Sequence, residues 1–296
     1  MAEVSAPTGF APAVLAPDVW REREARHIAR ADTLTAEHRA RAARGEKHPV
    51  WDFLFTYYSY KPSVLRRWHP GAGVALADAG ERTGWRGYRA GDEPGSAVVD
   101  TEGLEGARPH LHGLIDAILR RTASRPAQFG CFGLHEWAMV YRQGTHRHPQ
   151  PLRLGQEGTD AVVEAHELRC THFDAFRFFT PDAVPRNRRA LSRDEQVAHE
   201  QPGCLHAGMD VYKWAIKLGP LVPGELLLDA FELARDIRLL DMQASPYDLR
   251  DHGFDPVAIE TPEGKAEYVR RQRVFAERGD ALRRAILTAW QGESDR

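Results

Sequence analysis

Apolar residues recur every three or four positions through Leu205 to Leu218, Glu225 to Met242 and Pro262 to Gln291, and GP, PG and SP breaks separate the three runs. Each run therefore predicts a helix with one buried face. Ser192, followed three residues later by Glu195, forms a capping box and marks where the helical pattern begins. Upstream, Leu111 to Arg121 has the same periodicity and Gly133 to Arg142 is a shorter helical candidate. A polar helix rich in Arg and Ala is expected from Asp18 to Ala43, with Trp20, Ile28 and Leu34 as its few core positions. Between Gly73 and Asp100 the chain breaks into GVALA, GWRGYRA and SAVVD, short pieces that predict a small meander or hairpins. Pro151–Leu154 and Asp160–Phe179 flank the turn signal GQEGT, and the second piece is rich in β-branched and aromatic residues. That pattern predicts a hairpin running on into an extended segment. The fold class is α+β, mainly α-helical with a small antiparallel sheet, and no internal repeat is visible. Residues 1–17, rich in Ala and Pro, predict a flexible lead, and 18–296 a single globular domain.

With 296 residues, 42% of them hydrophobic, the chain can bury a substantial core. No apolar run approaches the roughly 18 residues a bilayer span needs, and Met1 to Pro17 lacks a basic stretch followed by an apolar one, so a cytoplasmic location without membrane contact is expected. Cys131, Cys170 and Cys204 are odd in number and show no CxxC spacing, which predicts reduced thiols rather than a disulfide framework. The formal net charge of −2 supplies no global attraction for a polyanion. Local basic clusters remain at Arg66 and Arg67, at Arg186, Arg188 and Arg189, and at Arg270, Arg271 and Arg273.

Candidate chemistry centres on histidine. Nine of the fourteen histidines fall between His110 and His206, most with a carboxylate beside them or one helical turn away. An imidazole titrates near neutrality and ligates divalent metals, and an adjacent carboxylate fixes its tautomer or shares the ion. On helices, His112 with Asp116 and His206 with Asp210 share a face. In an extended HELRCTHFD, His166, Cys170, His172 and Asp174 would point one way and Glu167 the other. Such a face opposite His206 and Asp210 would complete a two-histidine, one-carboxylate iron site or a histidine-rich zinc site, with His135 as a further ligand. A hydrogen-bonded polar interior accounts for the same residues without metal. A second constellation is aromatic: Trp51, Phe53, Phe55, Tyr57, Tyr58 and Tyr60, flanked by basic residues, suit either a platform for a planar base or a buried face.

The phrases KHPVWDFLFTYYSYKPSVLRRWHPG, FGLHEWAMVYR, HFDAFRFFTP, QPGCLHAGMDVYKWA and LDMQASPYDL resemble those of an actinobacterial family labelled 3-methyladenine DNA glycosylase, over about Lys47 to Tyr268. That resemblance implies hydrolysis of the N-glycosidic bond of an alkylated purine in damaged DNA. The flipped base would stack on rings such as Tyr57, Tyr58 or Trp137, with Arg142 as a further substrate contact, and a carboxylate among Glu136, Asp174 and Asp241 would orient water. The segment LVPGELLLDAFELARDIRLLD is the nearest match to a helix-hairpin-helix, with Pro223 and Gly224 but no second glycine, and it offers Asp236 or Asp241 as the acid. The competing reading is a metal-dependent enzyme that holds iron or zinc through some of His135, Glu136, His166, His172, His206 and Asp210 and acts on a small planar substrate. A binding protein without turnover is the third reading.

Overall fold

In a computed structural model, residues 13–144, 146 and 148–292 are described. Twelve α-helices and four short strands appear among them. The strands are β1 (Ala13–Leu15), β2 (Val74–Leu76), β3 (Tyr88–Ala90) and β4 (Ala97–Val99), in spatial order β1-β2-β4-β3. β4 runs antiparallel to both β2 and β3, as the three sequence fragments predicted. β1 pairs parallel to β2, with Ala13 opposite Val74, so the sheet is mixed rather than purely antiparallel. This strand comes from the expected flexible lead, whose residues 1–12 lie outside the described residues. Ala13 to Leu15 are apolar and find an open edge beside β2, and the backbone bonds gained there fix them.

The helices are α1 (Pro17–Ala43), α2 (Phe53–Tyr57), α3 (Pro62–Leu65), α4 (Thr101–Ala107), α5 (Pro109–Ala123), α6 (Leu134–Ala138), α7 (Gly155–Glu164), α8 (Phe173–Phe176), α9 (Gln196–His199), α10 (Leu205–Leu218), α11 (Gly224–Gln243) and α12 (Pro262–Gln291). α10 and α11 pack most extensively, α12 lies against both, and α5 lies against α12. Gly208 permits the first contact, because a Cβ there would meet Ile237 Cδ1 at 2.7 Å. α12 starts at a cap in which Thr261 Oγ1 accepts from Gly264 N at 3.1 Å.

α1 buries Trp20, as expected, with His27, Ala31 and Thr35; the expected Leu34 packs half-buried against the core and Ile28 is half-buried. Of its two polar members, Thr35 Oγ1 donates to the Ala31 carbonyl at 2.8 Å and His27 Nε2 lies 2.7 Å from the Leu65 carbonyl. Between α1 and the sheet sits Arg82, only 1% exposed, with its guanidinium 5.0, 5.5 and 4.5 Å from the rings of Trp20, Trp68 and Trp85. Glu24 accepts from it at 2.6 Å.

The largest departure from the sequence reading lies between 151 and 179. GQEGT is the first turn of α7 rather than a hairpin loop, and Thr159, Val162 and Val163 form that helix's buried stripe. Positions 159, 162 and 163 fit a helical period as well as a strand's composition does, and burial of that face decides the outcome. The segment ends in α8, so HELRCTHFD is an irregular link between two helices and not a strand with alternating faces. Ser192 does bond Glu195, Oγ to Oε2 at 2.9 Å, but the helix that follows is the four-residue α9.

Burial pushes His69 down to about 3, and Tyr88, its hydroxyl 2.8 Å from His69 Nδ1, is pushed up to about 12. His69 is thus neutral when folded and takes a proton near its ordinary value only when unfolded. Its contribution is complete above that value and is lost as pH falls toward 3. Urea unfolding at pH 7 and pH 5 should show the wild type losing about 2 kcal/mol more than His69→Gln over that interval. Equal losses would mean that the folded protein protonates His69.

Candidate functional site

Gly133, at φ +74°, turns the chain into α6 where a Cβ would press on Ala244 and Tyr268 at 3.3 Å. This tight entry brings His135 and Glu136 onto α11. His135 Nε2 lies 2.8 Å from Asp241 Oδ1, and Cys131 Sγ lies 3.5 Å from its Nδ1. Arg238, one turn before Asp241 on α11, donates from one nitrogen to Asp241 Oδ2 at 2.7 Å and to Glu136 Oε1 at 3.1 Å. The Phe53 ring covers the guanidinium at 3.9 Å, while its Nε and second terminal nitrogen meet no partner among the described residues. His206, in the first turn of α10, completes the group, its ring 4.5 Å from that of His135. One ligand atom each from His135, Glu136, His206 and Asp241 lie within 4.8 Å of one another, and all four residues are buried.

A second group adjoins the first through His206, whose ring stacks 5.4 Å from His172. His172 precedes α8 and places Nε2 3.1 Å from Asp210 Oδ2 and 3.3 Å from Glu200 Oε1. Asp210, one turn beyond His206, also accepts from the Tyr58 hydroxyl at 2.8 Å and from Lys213. Lys213 reaches Asp174 at 3.4 Å, and Arg193 binds Asp174 at 3.0 Å. His172, Glu200 and Asp210 satisfy the same distance relation as the first group.

The two groups hold charge differently from their central member. Burial works against a charged His135, but the Asp241 carboxylate outweighs it and holds the imidazole well above its usual value. Asp241 would be raised by burial, yet His135 and Arg238 keep it well below the carboxylate range. His172 follows His135, raised through Asp210 in spite of burial. Glu136 is pushed up by burial and by the Asp241 charge, and Glu200 by burial. For His206, burial and the neighbouring His135 both act downward, so its ring is neutral. Among the described residues its ring meets other imidazoles instead of a hydrogen-bond partner. A neutral imidazole of this kind is a free lone-pair donor.

His206, Glu136 and Arg238 reach one end of a cavity of about 240 Å³ whose walls include Phe53, Tyr57, Phe178 and Tyr247. Asp174 lines it as well. On the opposite side, His135 and His206 border a void of about 10 Å³ that all three cysteines also line. No disulfide links these cysteines, and burial pushes the Cys204 thiol up to about 12.

Most of the predicted site residues converge: His135, His172, His206, Asp210, Glu136, Asp174, Asp241, Tyr57 and Tyr58 are all in or beside the two groups. The others are elsewhere. His166 turns back to the Val162 carbonyl, Nδ1 at 2.6 Å, because its segment closes α7 and is not a strand. Trp137 is fully buried and donates to the Ala244 carbonyl at 2.9 Å, which leaves no face for a ligand. Arg142 pairs with Glu164 at 2.7 Å on the surface. Asp236 binds Arg235 and Arg278, and Asp116 binds Arg120, His112 facing Trp290 instead. Sequence reading missed Arg238, Glu200 and Lys213 as members. Arg238 and Lys213 each sit three residues from an acid, Asp241 and Asp210, on the same helix, and that spacing was the available signal. No family model, curated protein or solved structure matches the chain.

Arg238→Ala leaves two buried carboxylates without their cation, and unfolding of metal-free protein should become easier by about 3–5 kcal/mol, with a smaller loss for Arg238→Lys. Chemical denaturation measures it. A loss under about 1 kcal/mol would mean that water reaches Asp241 and neutralises the group instead.

Proposed function

We propose that the chain is a metal-dependent enzyme whose divalent ion is held by His135, Glu136, His206 and Asp241, and which acts on a small planar substrate in the adjoining aromatic cavity. The convergence of four buried donors from α6, α10 and α11 within 4.8 Å carries this reading. Two imidazoles and two carboxylates suit zinc or iron rather than magnesium or calcium, which favour oxygen ligands alone. The donors fit. His206 has a neutral ring without a hydrogen-bond partner among the described residues, and Arg238 keeps two buried carboxylates from carrying an excess of negative charge. A bound ion of this type acidifies water and polarises an oxygen or nitrogen of the substrate. Phe53 and Tyr57, stacked 5.0 Å apart, supply flat apolar surface for a ring system. Glu136 also lines the cavity, so the ion it helps to hold would face the substrate there. Asp210, itself held by Tyr58 and Lys213, fixes His172 beside His206, and His172, Glu200 and Asp210 offer a second set of donors.

Glycosidic hydrolysis of an alkylated purine is the second reading, favoured by the aromatic walls together with the Glu136 carboxylate at their end. Asp241 suits that role less. It is 0% exposed and both its oxygens are engaged.

Elemental analysis of protein purified without added metal should find zinc or iron at about one equivalent per chain, and His135→Ala and His206→Ala should each remove most of it. A metal-free wild type that also fails to take up zinc in a direct titration would rule the site out. Conversion of a methylated oligonucleotide to an abasic product in the presence of a chelator would favour the glycosidic reading.

A further inference from the structure

A separate cavity of about 300 Å³ opens one helical turn beyond Lys213 along α10. Four cations border it: Arg67 after α3, Arg86 before β3, Arg108 between α4 and α5, and Lys217 near the end of α10. They come from distant parts of the chain, and no carboxylate lines the cavity with them. None of the four forms an ion pair among the described residues, where arginine is otherwise commonly paired with Asp or Glu. The contrast with another cavity, about 490 Å³, is direct: Arg169 and Arg188 in its lining share the Glu167 carboxylate. Bringing four like charges together without an acid costs repulsion that a bound anion would relieve.

The cavity has two further properties of a ligand site. Leu104, Leu227 and Ile216 give it an apolar interior beneath the charged rim. His112 lines it too. Its side chain is 93% buried, at 7% exposure, and Nδ1 has no partner among the described residues. Burial, Lys213 and Arg108 together lower the Lys217 ammonium, in keeping with an uncompensated positive cluster.

We propose that this cavity binds a small organic anion, a phosphate or carboxylate group on an apolar body, with the charged group among Arg67, Arg86, Arg108 and Lys217 and the body against Leu104 and Leu227. The site does not depend on the metal-enzyme reading, because it shares no lining residue with the aromatic cavity.

Titration calorimetry on the full chain tests it with four probes: 1-naphthyl phosphate, 1-naphthoate, neutral 1-naphthol and inorganic phosphate. One or both naphthyl anions should bind saturably at one site, with naphthol and inorganic phosphate weaker by about tenfold or more. The stronger anion identifies the headgroup. Arg67→Ala with Lys217→Ala should weaken that anion about tenfold, and Ala107→Phe, which fills the cavity without altering charge, should abolish binding. Neither change should move bound metal or the melting temperature, since the three positions are exposed. Naphthol binding as tightly as the anions, unchanged affinity in the double variant, or no saturable heat from either anion would overturn the proposal.

Discussion

Charge placed in a dry interior has to be neutralised on the spot, and much of this molecule is arranged around that requirement. Asp241 and Asp210 lie on neighbouring helices in a region where an isolated carboxylate would cost several kcal/mol. Each solves the problem in the same way, with a cation one turn away on its own helix and an imidazole from another segment: Arg238 and His135 for Asp241, Lys213 and His172 for Asp210. Those imidazoles are reached only because α6 and the link before α8 are drawn into the bundle. The irregular middle of the chain is therefore anchored by electrostatics at least as much as by apolar area.

His206 stands apart from this pairing. It lies between two imidazoles that carry charge with the help of carboxylates, and it carries none itself. Of the three rings in contact, His206 alone engages no acid, at the point where both groups and the aromatic cavity meet. The proposed chemistry is centred there, since packing by itself would favour an apolar side chain at that position.

The long helices and three of the four sheet strands were legible because period and punctuation agree there, whereas β1 lies in the expected flexible lead. Leu205–Leu218 and Pro262–Gln291 coincide with their predicted spans, and the three fragments GVALA, GWRGYRA and SAVVD each contain a strand. Residues 151–179 misled because Val162 and Val163 carry strand propensity while occupying a helix, and tertiary burial overrides a weak local preference. Histidine density pointed to the right region, but it could not separate His172 from His166, which differ only in where a non-repeating link turns. Composition likewise concealed the unpaired cations of the α10 cavity, whose four members belong to no single cluster in the sequence.

The parallel pairing of β1 with β2 joins Ala13–Leu15 to Val74–Leu76 across all of α1, α2 and α3. Closing so long a loop costs entropy, which this pairing and the contacts of α1 with the body repay together. Until it forms, Val74–Leu76 presents an open ladder on one side. The short segment that seals it thus acts as a latch at the head of the long polar α1, whose length is tied to α11 through Arg23–Glu225 and Arg30–Asp229.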